Sequence, residues 1–340
     1  MSGKKLQFGL IGAGRIGHVH AETVAFRLPE AEIGAITDVD RAAAEALARR
    51  CGIPRIAASA AEIFADPRMD AVLICTSTGT HADLIVEAAK AGKHIFCEKP
   101  ISLCLSEIDR AIAAVDAAQV KLQVGFNRRF DSNFLRVRQA VAAGEVGAPN
   151  LLHIISRDPA PPALSYIKTS GGIFLDMMIH DFDMARYLMG DEVEEVYAAG
   201  GVFVDPGFRE ADDFDTAVVM LRFRSGAIGT IDNSRKATFG YDQRVEILGS
   251  KGKVSTENRY PNQVVVSGEK SVYTDLPLNF FMQRYPESFA LELELFTKAV
   301  LEDTPTPVTG ADSRVPVVMA LASRKSADEH RPVRLEEVER

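Results

Sequence analysis

No segment of this 340-residue chain approaches 18 uninterrupted apolar residues, so nothing in it reads as a membrane-spanning helix. Positive charge is not in excess either. Lys and Arg total 39 against 47 Asp and Glu, a formal net charge of −8, which argues against nucleic acid or an anionic membrane as partner. Cysteine is sparse: Cys51, Cys75, Cys97 and Cys104 include no CxxC pair. They read as reduced, partly buried thiols of a cytoplasmic protein. Low-complexity runs, charged tails and internal repeats are absent. The opening MSGKKLQFGLIGAG places basic residues before an apolar run, but the run is short, broken by glycine and followed by no small-residue cleavage site. It reads as a strand rather than a signal peptide.

What remains is a chain with ample core-forming material, 46% hydrophobic, and long enough for two domains. The first announces itself at residues 6–17. A strand-like run, 6–11, leads into Gly12-Ala13-Gly14-Arg15-Ile16-Gly17, a GxGxxG, and then into a helical pattern. By itself the motif is weak. Here a strand precedes it, an amphipathic helix follows it, and Asp38 ends the next strand-like run, 32–38. The first glycine permits the tight turn, the second lets a pyrophosphate approach the backbone, and the third lets helix and strand pack. The pyrophosphate would rest on the helix N-terminus, where free N–H groups and the dipole favour an anion. Asp38 can accept hydrogen bonds from the adenosine ribose and would repel a 2′-phosphate, so NAD is expected over NADP, although Arg41 stands nearby.

Strands and helices continue to alternate through strand-like runs at 70–75, 94–97 and 121–125, with helical stretches near 82–91 and 106–118. This predicts a doubly wound parallel sheet over residues 1–125. Ligands of such sheets bind beyond the carboxyl ends of the strands. That rule singles out Thr76, Ser77 and His81 in the polar turn 76–81, then Glu98 and Lys99, then Arg128 in Asn127-Arg128-Arg129. Pro100 keeps Lys99 out of helical conformation at the end of a buried strand. An ordinary surface lysine would fit the same place.

From residue 126 to 340 the pattern changes. Hairpin spacing joins 216–223 to 227–231 and 244–249 to 253–255, and helical patterns return at 286–301 and 311–327. An α+β domain with a large, mostly antiparallel sheet is expected, its C-terminal helices able to pack back on the first domain. Within it lies FLDMMIHDFDMARYL, 174–188, an apolar stretch carrying Asp176, His180, Asp181 and Asp183. Asp176, His180 and Asp183 stand at i, i+4 and i+7, one face of a helix. Buried charge is costly unless paired or used. A helix cap and a satisfied core histidine would explain the spacing as well as a site would.

Four segments taken in order resemble the Gfo/Idh/MocA oxidoreductases: GLIGAGRIGHVH (9–20), CEKP (97–100), GFNRRFD (125–131) and the Asp176–His180–Asp183 pattern. FNRRFD, GGIFLDMMIHDFDMARYL and FGYD (239–242) look most like that family's inositol 2-dehydrogenases. The resemblance implies that Lys99 contacts the reacting hydroxyl, that His180 is catalytic with Asp176 beside it, and that Asp183, Arg128 and Tyr241 meet substrate. Some members have a histidine where Ser156 stands here. A homo-oligomer, tetramer or dimer, is also implied.

The chemistry expected is hydride transfer from a secondary alcohol of a cyclic polyol to NAD, with myo-inositol the leading substrate. The alternatives are scyllo-inositol, a pyranose sugar, or a non-catalytic NAD(H)-binding sensor. An unperturbed histidine titrates near 6.5 and a lysine near 10.4, which favours His180 as base and Lys99 as cation. Lysine as the base, its pKa lowered by burial, is the other assignment. No metal is expected, since no additional His or Cys stands at ligand spacing near Asp176 and His180 and a nicotinamide hydride transfer needs none.

Overall fold

The computed structural model describes residues 5–338. Two compact units emerge. One takes the chain up to Phe130 and again Pro286–Val315; the other takes Asp131–Tyr285 and the chain from Pro316 on. The first unit thus runs past residue 125 and includes the helix Pro286–Leu301, whose Leu293 and Phe296 join Phe8, Leu10 and Phe96 in one core. Phe296 stacks on Phe8 with ring centroids 6.0 Å apart.

In the first unit, strands β1 (Leu6–Ile11), β2 (Ala31–Thr37), β3 (Ala71–Ile74), β4 (His94–Cys97) and β5 (Leu122–Val124) form a parallel sheet in the order β2-β1-β3-β4-β5. β3 is buried along its whole length, as an unbroken Ala-Val-Leu-Ile run demands of a strand covered on both faces. The chain leaves β1 to one side for β2 and returns to the other for β3. That reversal makes the carboxyl ends of β1 and β3 the switch point where doubly wound sheets hold ligands.

The second unit is built on a seven-stranded sheet of β6 (Pro149–Arg157), β7 (Val193–Gly201), β8 (Thr216–Phe223), β9 (Ile228–Ser234), β10 (Asp242–Gly249), β11 (Gly252–Thr256) and, last in sequence, β14 (Val333–Arg334). Their order is β11-β10-β6-β9-β8-β7-β14. Every pair is antiparallel except β6 with β9, which run parallel. Along β8, Ala217, Val219, Leu221 and Phe223 are buried and the residues between them are not, the period-two signature of a sheet covered on one face. The helices Ser132–Ala142 and Ile179–Met189 pack on this unit's sheet and on each other. A separate hairpin, β12 (Val265–Ser267) with β13 (Val272–Thr274), is exposed throughout.

Candidate active site

The glycine loop is shaped by close approach. Gly12 sits at φ +105°, and a Cβ there would lie 2.5 Å from the Cys75 carbonyl oxygen. Only glycine lets the end of β1 come this near the end of β3. A Cβ on Gly17 would collide with the Gly12 carbonyl oxygen, so the helix Arg15–Arg27 packs tightly on the loop. At Gly14 the space is open, and the helix begins there without a side-chain cap. A glycine-shaped loop leading into a helix start with no side-chain cap is the arrangement that receives a phosphate. Asp38 lies at the loop: Oδ2 accepts from Ala13 N–H at 2.5 Å and Oδ1 from Asp40 N–H at 2.7 Å. Arg15 is exposed and Ile16 half-buried at the same helix start. Open cradle, uncapped helix and adjacent carboxylate together suit the diphosphate and ribose of NAD.

The next two strand ends of this unit meet through one histidine. His81 is 1% exposed, with Nδ1 2.8 Å from the Pro100 carbonyl oxygen and Nε2 3.1 Å from that of Thr76. Burial pushes its pKa down, against the two carbonyls that favour the proton. An imidazole so enclosed holds the turns beside Thr76 and Lys99 rather than reaching from them. Ser77 is exposed, and Thr76 and Thr80 share a hydroxyl contact of 2.7 Å. Lys99 is half-buried and its peptide bond to Pro100 is cis. Glu98 Oε1 lies 2.6 Å from Nε2 of the buried His20. In the turn Asn127–Phe130, Arg128 is buried and Arg129 pairs with Asp312 at 3.3 Å.

The remaining candidates, Asp176, His180, Asp183 and Tyr241, belong to the second unit. Here the single α-helix expected over 174–188 is interrupted. Residues Ile173–Met177 form a widened, π-type turn in which Met178 N–H reaches the Ile173 carbonyl at 2.8 Å, and the regular helix spans Ile179–Met189. Such turns are frequent where a helix serves a site. Asp213 holds its start, accepting from Ile173 N–H at 3.0 Å. Gly172, at φ +77°, leaves the room: a Cβ there would stand 2.5 Å from the Asp213 carboxylate.

Asp176 is not a helix cap. It accepts from Tyr166 Oη at 2.8 Å and from Arg235 at 2.9 Å. The Arg235 side chain is 4% exposed and also faces Asp158 at 3.5 Å. Burial works against its charge, yet Asp176 and Asp158 raise its pKa above the ordinary value. Neither Tyr166 nor Arg235 stood out in the sequence, because no local spacing ties either to Asp176. Asp181 and Asp183 are fully buried, and Asp181 accepts from Asn233 at 3.0 Å. His180 is half-buried. Tyr241 is buried, its ring edge-on to Tyr285 at 6.0 Å. Ser156 is buried and accepts from Gln243 at 2.9 Å.

Residues 6–126 match the family model described as "Oxidoreductase family, NAD-binding Rossmann fold", and residues 134–255 match that of the GFO/IDH/MocA C-terminal domain. The chain is 49% identical over 333 residues to a myo-inositol 2-dehydrogenase of Thermotoga maritima, covering 98% of this chain and 99% of that one. It is 45% identical over 329 residues to an inositol 2-dehydrogenase of Rhizobium meliloti, covering 96% and 98%. Among solved structures, it matches scyllo-inositol dehydrogenase from Lactobacillus casei with bound NAD(H) and scyllo-inositol at a TM-score of 0.92, 29% identity and coverage of 98% and 100%. With both halves matched in order and near-complete coverage at this identity, the chain belongs to the GFO/IDH/MocA oxidoreductase family, and its first domain is the family's NAD-binding Rossmann fold.

Proposed function

We propose that this protein is an NAD-dependent dehydrogenase oxidising one secondary hydroxyl of a cyclic polyol, with myo-inositol as substrate and the 2-keto-inositol as product. The observation that carries the reading is end-to-end similarity to a myo-inositol 2-dehydrogenase at 49% identity. The polar groups that the second unit sets into an apolar helix agree with it.

NAD, when bound, supplies the hydride acceptor. Gly12, Ala13, Gly14, Arg15, Ile16 and Gly17 hold the diphosphate and Asp38 the adenosine ribose; Thr76, Ser77 and Glu98 border the nicotinamide end. His180 takes the hydroxyl proton as general base, and Lys99 offsets the negative charge that grows on the oxygen. Asp176, fixed by Tyr166 and Arg235, orients His180. Arg128, Asp183 and Tyr241 bind the other ring hydroxyls. A non-catalytic NAD(H) sensor would have no need of Lys99, Asp176 and His180 together.

A second reading, oxidation of scyllo-inositol, has its own support: the chain is 35% identical over 333 residues to a scyllo-inositol 2-dehydrogenase (NAD(+)) of Bacillus subtilis. A panel of inositols and aldoses with NAD and NADP, followed by nicotinamide absorbance, decides between them. Fastest turnover of scyllo-inositol or an aldose would replace myo-inositol, and tight NAD binding without reduction by any polyol would leave the sensor.

Homo-oligomerisation belongs to the same proposal. One face of the seven-stranded sheet exposes Tyr197, Val218, Met220, Ile228 and Leu248, an apolar patch of the kind subunits bury. A cytoplasmic location fits four free thiols, and no helix among the described residues is long and apolar enough to cross a membrane.

A further inference from the structure

Beneath the turn that carries Lys99 lies a second cluster of titratable groups. His20 from the helix Arg15–Arg27, Glu98 at the end of β4 and Glu292 from the helix Pro286–Leu301 bring their ligand atoms within 4.8 Å of one another. All three belong to the first unit. Glu292 is fully buried, and among the described residues neither of its carboxylate oxygens has a hydrogen-bond partner. Glu98 has one, His20 Nε2 at 2.6 Å.

The walls are apolar or neutral. Phe96 and Phe289 stand edge-on to the His20 ring at 5.1 and 5.9 Å. Gln123 donates to the Glu292 backbone oxygen at 2.9 Å. Cys75, at the end of β3, is buried, and burial pushes its thiol far up. Two ionised carboxylates in so dry a space repel, and one of them takes the proton. Burial first and Glu98 second push the Glu292 pKa well above the ordinary value.

We propose that Glu292 is a positioning residue for the reaction read above. It faces Glu98 and His20 as a neutral carboxylic acid, leaves Glu98 the single carboxylate of the cluster, offers that carboxylate an O–H donor across the few ångströms between them, and so fixes the turn from Glu98 to Lys99. Gly125 completes the seat, since a Cβ there would press within 3.1 Å of the Glu98 carboxylate. On the far side His81 Nδ1 lies 2.8 Å from the Pro100 carbonyl. The lysine-bearing turn is thereby held at both ends, by the cluster at Glu98 and by His81 at Pro100. Ionised, Glu292 would push Glu98 aside and carry the neighbouring lysine with it.

This inference rests on the dehydrogenase reading, and one arm of its test does not. The infrared difference between the wild-type protein and Glu292→Gln at neutral pH should show a protonated carboxylic C=O band that shifts in D2O; absence of that band overturns the proposal. In turnover, Glu292→Leu should lower kcat about tenfold with KM for NAD and polyol unchanged. Its melting temperature should not fall, because an apolar side chain suits the dry pocket better than an unpaired carboxyl group. Glu292→Gln, which keeps a neutral hydrogen-bonding group, should return kcat to within about threefold of wild type. Wild-type kcat in the Leu variant, or equal loss in Leu and Gln, would overturn the positioning role; Glu292→Met replaces a Leu variant that does not fold. A stoichiometric divalent metal lost with Glu292→Gln would also overturn it, the three donors then being ligands. Failure of the wild type to reduce NAD with any polyol overturns the dehydrogenase reading, and the infrared band still judges Glu292 on its own.

Discussion

The glycine loop and the π-type turn do the same job by opposite means. In the first unit, the ends of β1 and β3 close on each other because Gly12 has no side chain to stop them. The information lies in the motif itself, within a few residues. In the second unit, Asp176 is placed by Tyr166, ten residues before it, and by Arg235, fifty-nine residues after it. Asp213 secures the same turn from a third segment. A phosphate cradle made of backbone can be built locally. A buried carboxylate needs donors, and the chain brings them from wherever the fold allows.

The comparison breaks most decisively at His180. His180→Ala should lower kcat by about 10²–10⁴-fold, the usual size of a general acid–base contribution, and leave NAD affinity nearly unchanged. Calorimetric NAD binding beside steady-state kinetics checks this; a normal kcat with a lowered melting temperature would reduce His180 to a core residue.

Next in size is the long-range support. Arg235→Met takes the guanidinium away from Asp176 and Asp158, whose side chains are 12% and 20% exposed. Removing one partner of a buried pair typically costs about 3–5 kcal/mol, and these two carboxylates keep some contact with water, so the lower end is expected. Chemical denaturation should show that loss, and kcat should drop with it. Stability and turnover both at wild-type values would mean that the ion pair does not organise the turn.

Gly12→Ala tests the local device. The strained φ and the collision with Cys75 should cost about 1–3 kcal/mol and weaken NAD binding, while the second unit stays intact. Hydrogen exchange resolved by segment would show the loss confined to the first unit. Equal loss across both units would contradict the local origin of the loop.

The smallest effect sharpens rather than breaks the contrast. Asp38→Ser removes the charge that would oppose a 2′-phosphate and should weaken NAD by about tenfold while NADP improves relative to it. The ratio of kcat/KM for the two cofactors measures this, and an unchanged ratio would free Asp38 of any part in cofactor choice.

How much of this was legible differs by region. GxGxxG between strand and helix located the cradle, since its requirements are met by adjacent residues. The parallel sheet followed from unbroken apolar strands alternating with helices. The seven-stranded sheet was visible only through its two hairpins. The parallel pairing of β6 with β9 and the joining of β14 to β7 link segments far apart in sequence, and a strand's own residues carry no mark of a distant partner.

Residue types and local spacing by themselves determined the dinucleotide loop, the carboxylate that ends β2, the lysine at a strand end and the presence of charge inside an apolar helix. Tertiary structure alone decided what that charge is for and who shares it. It widened the helix start into a π-type turn, gave Asp176 to Tyr166 and Arg235, turned Asp181 toward Asn233, and gathered His20, Glu98 and Glu292 from three separate elements. The reason is desolvation. A polar side chain carries the same label in the sequence wherever it ends up, and only burial determines whether it must find a partner, give up its charge, or be put to use.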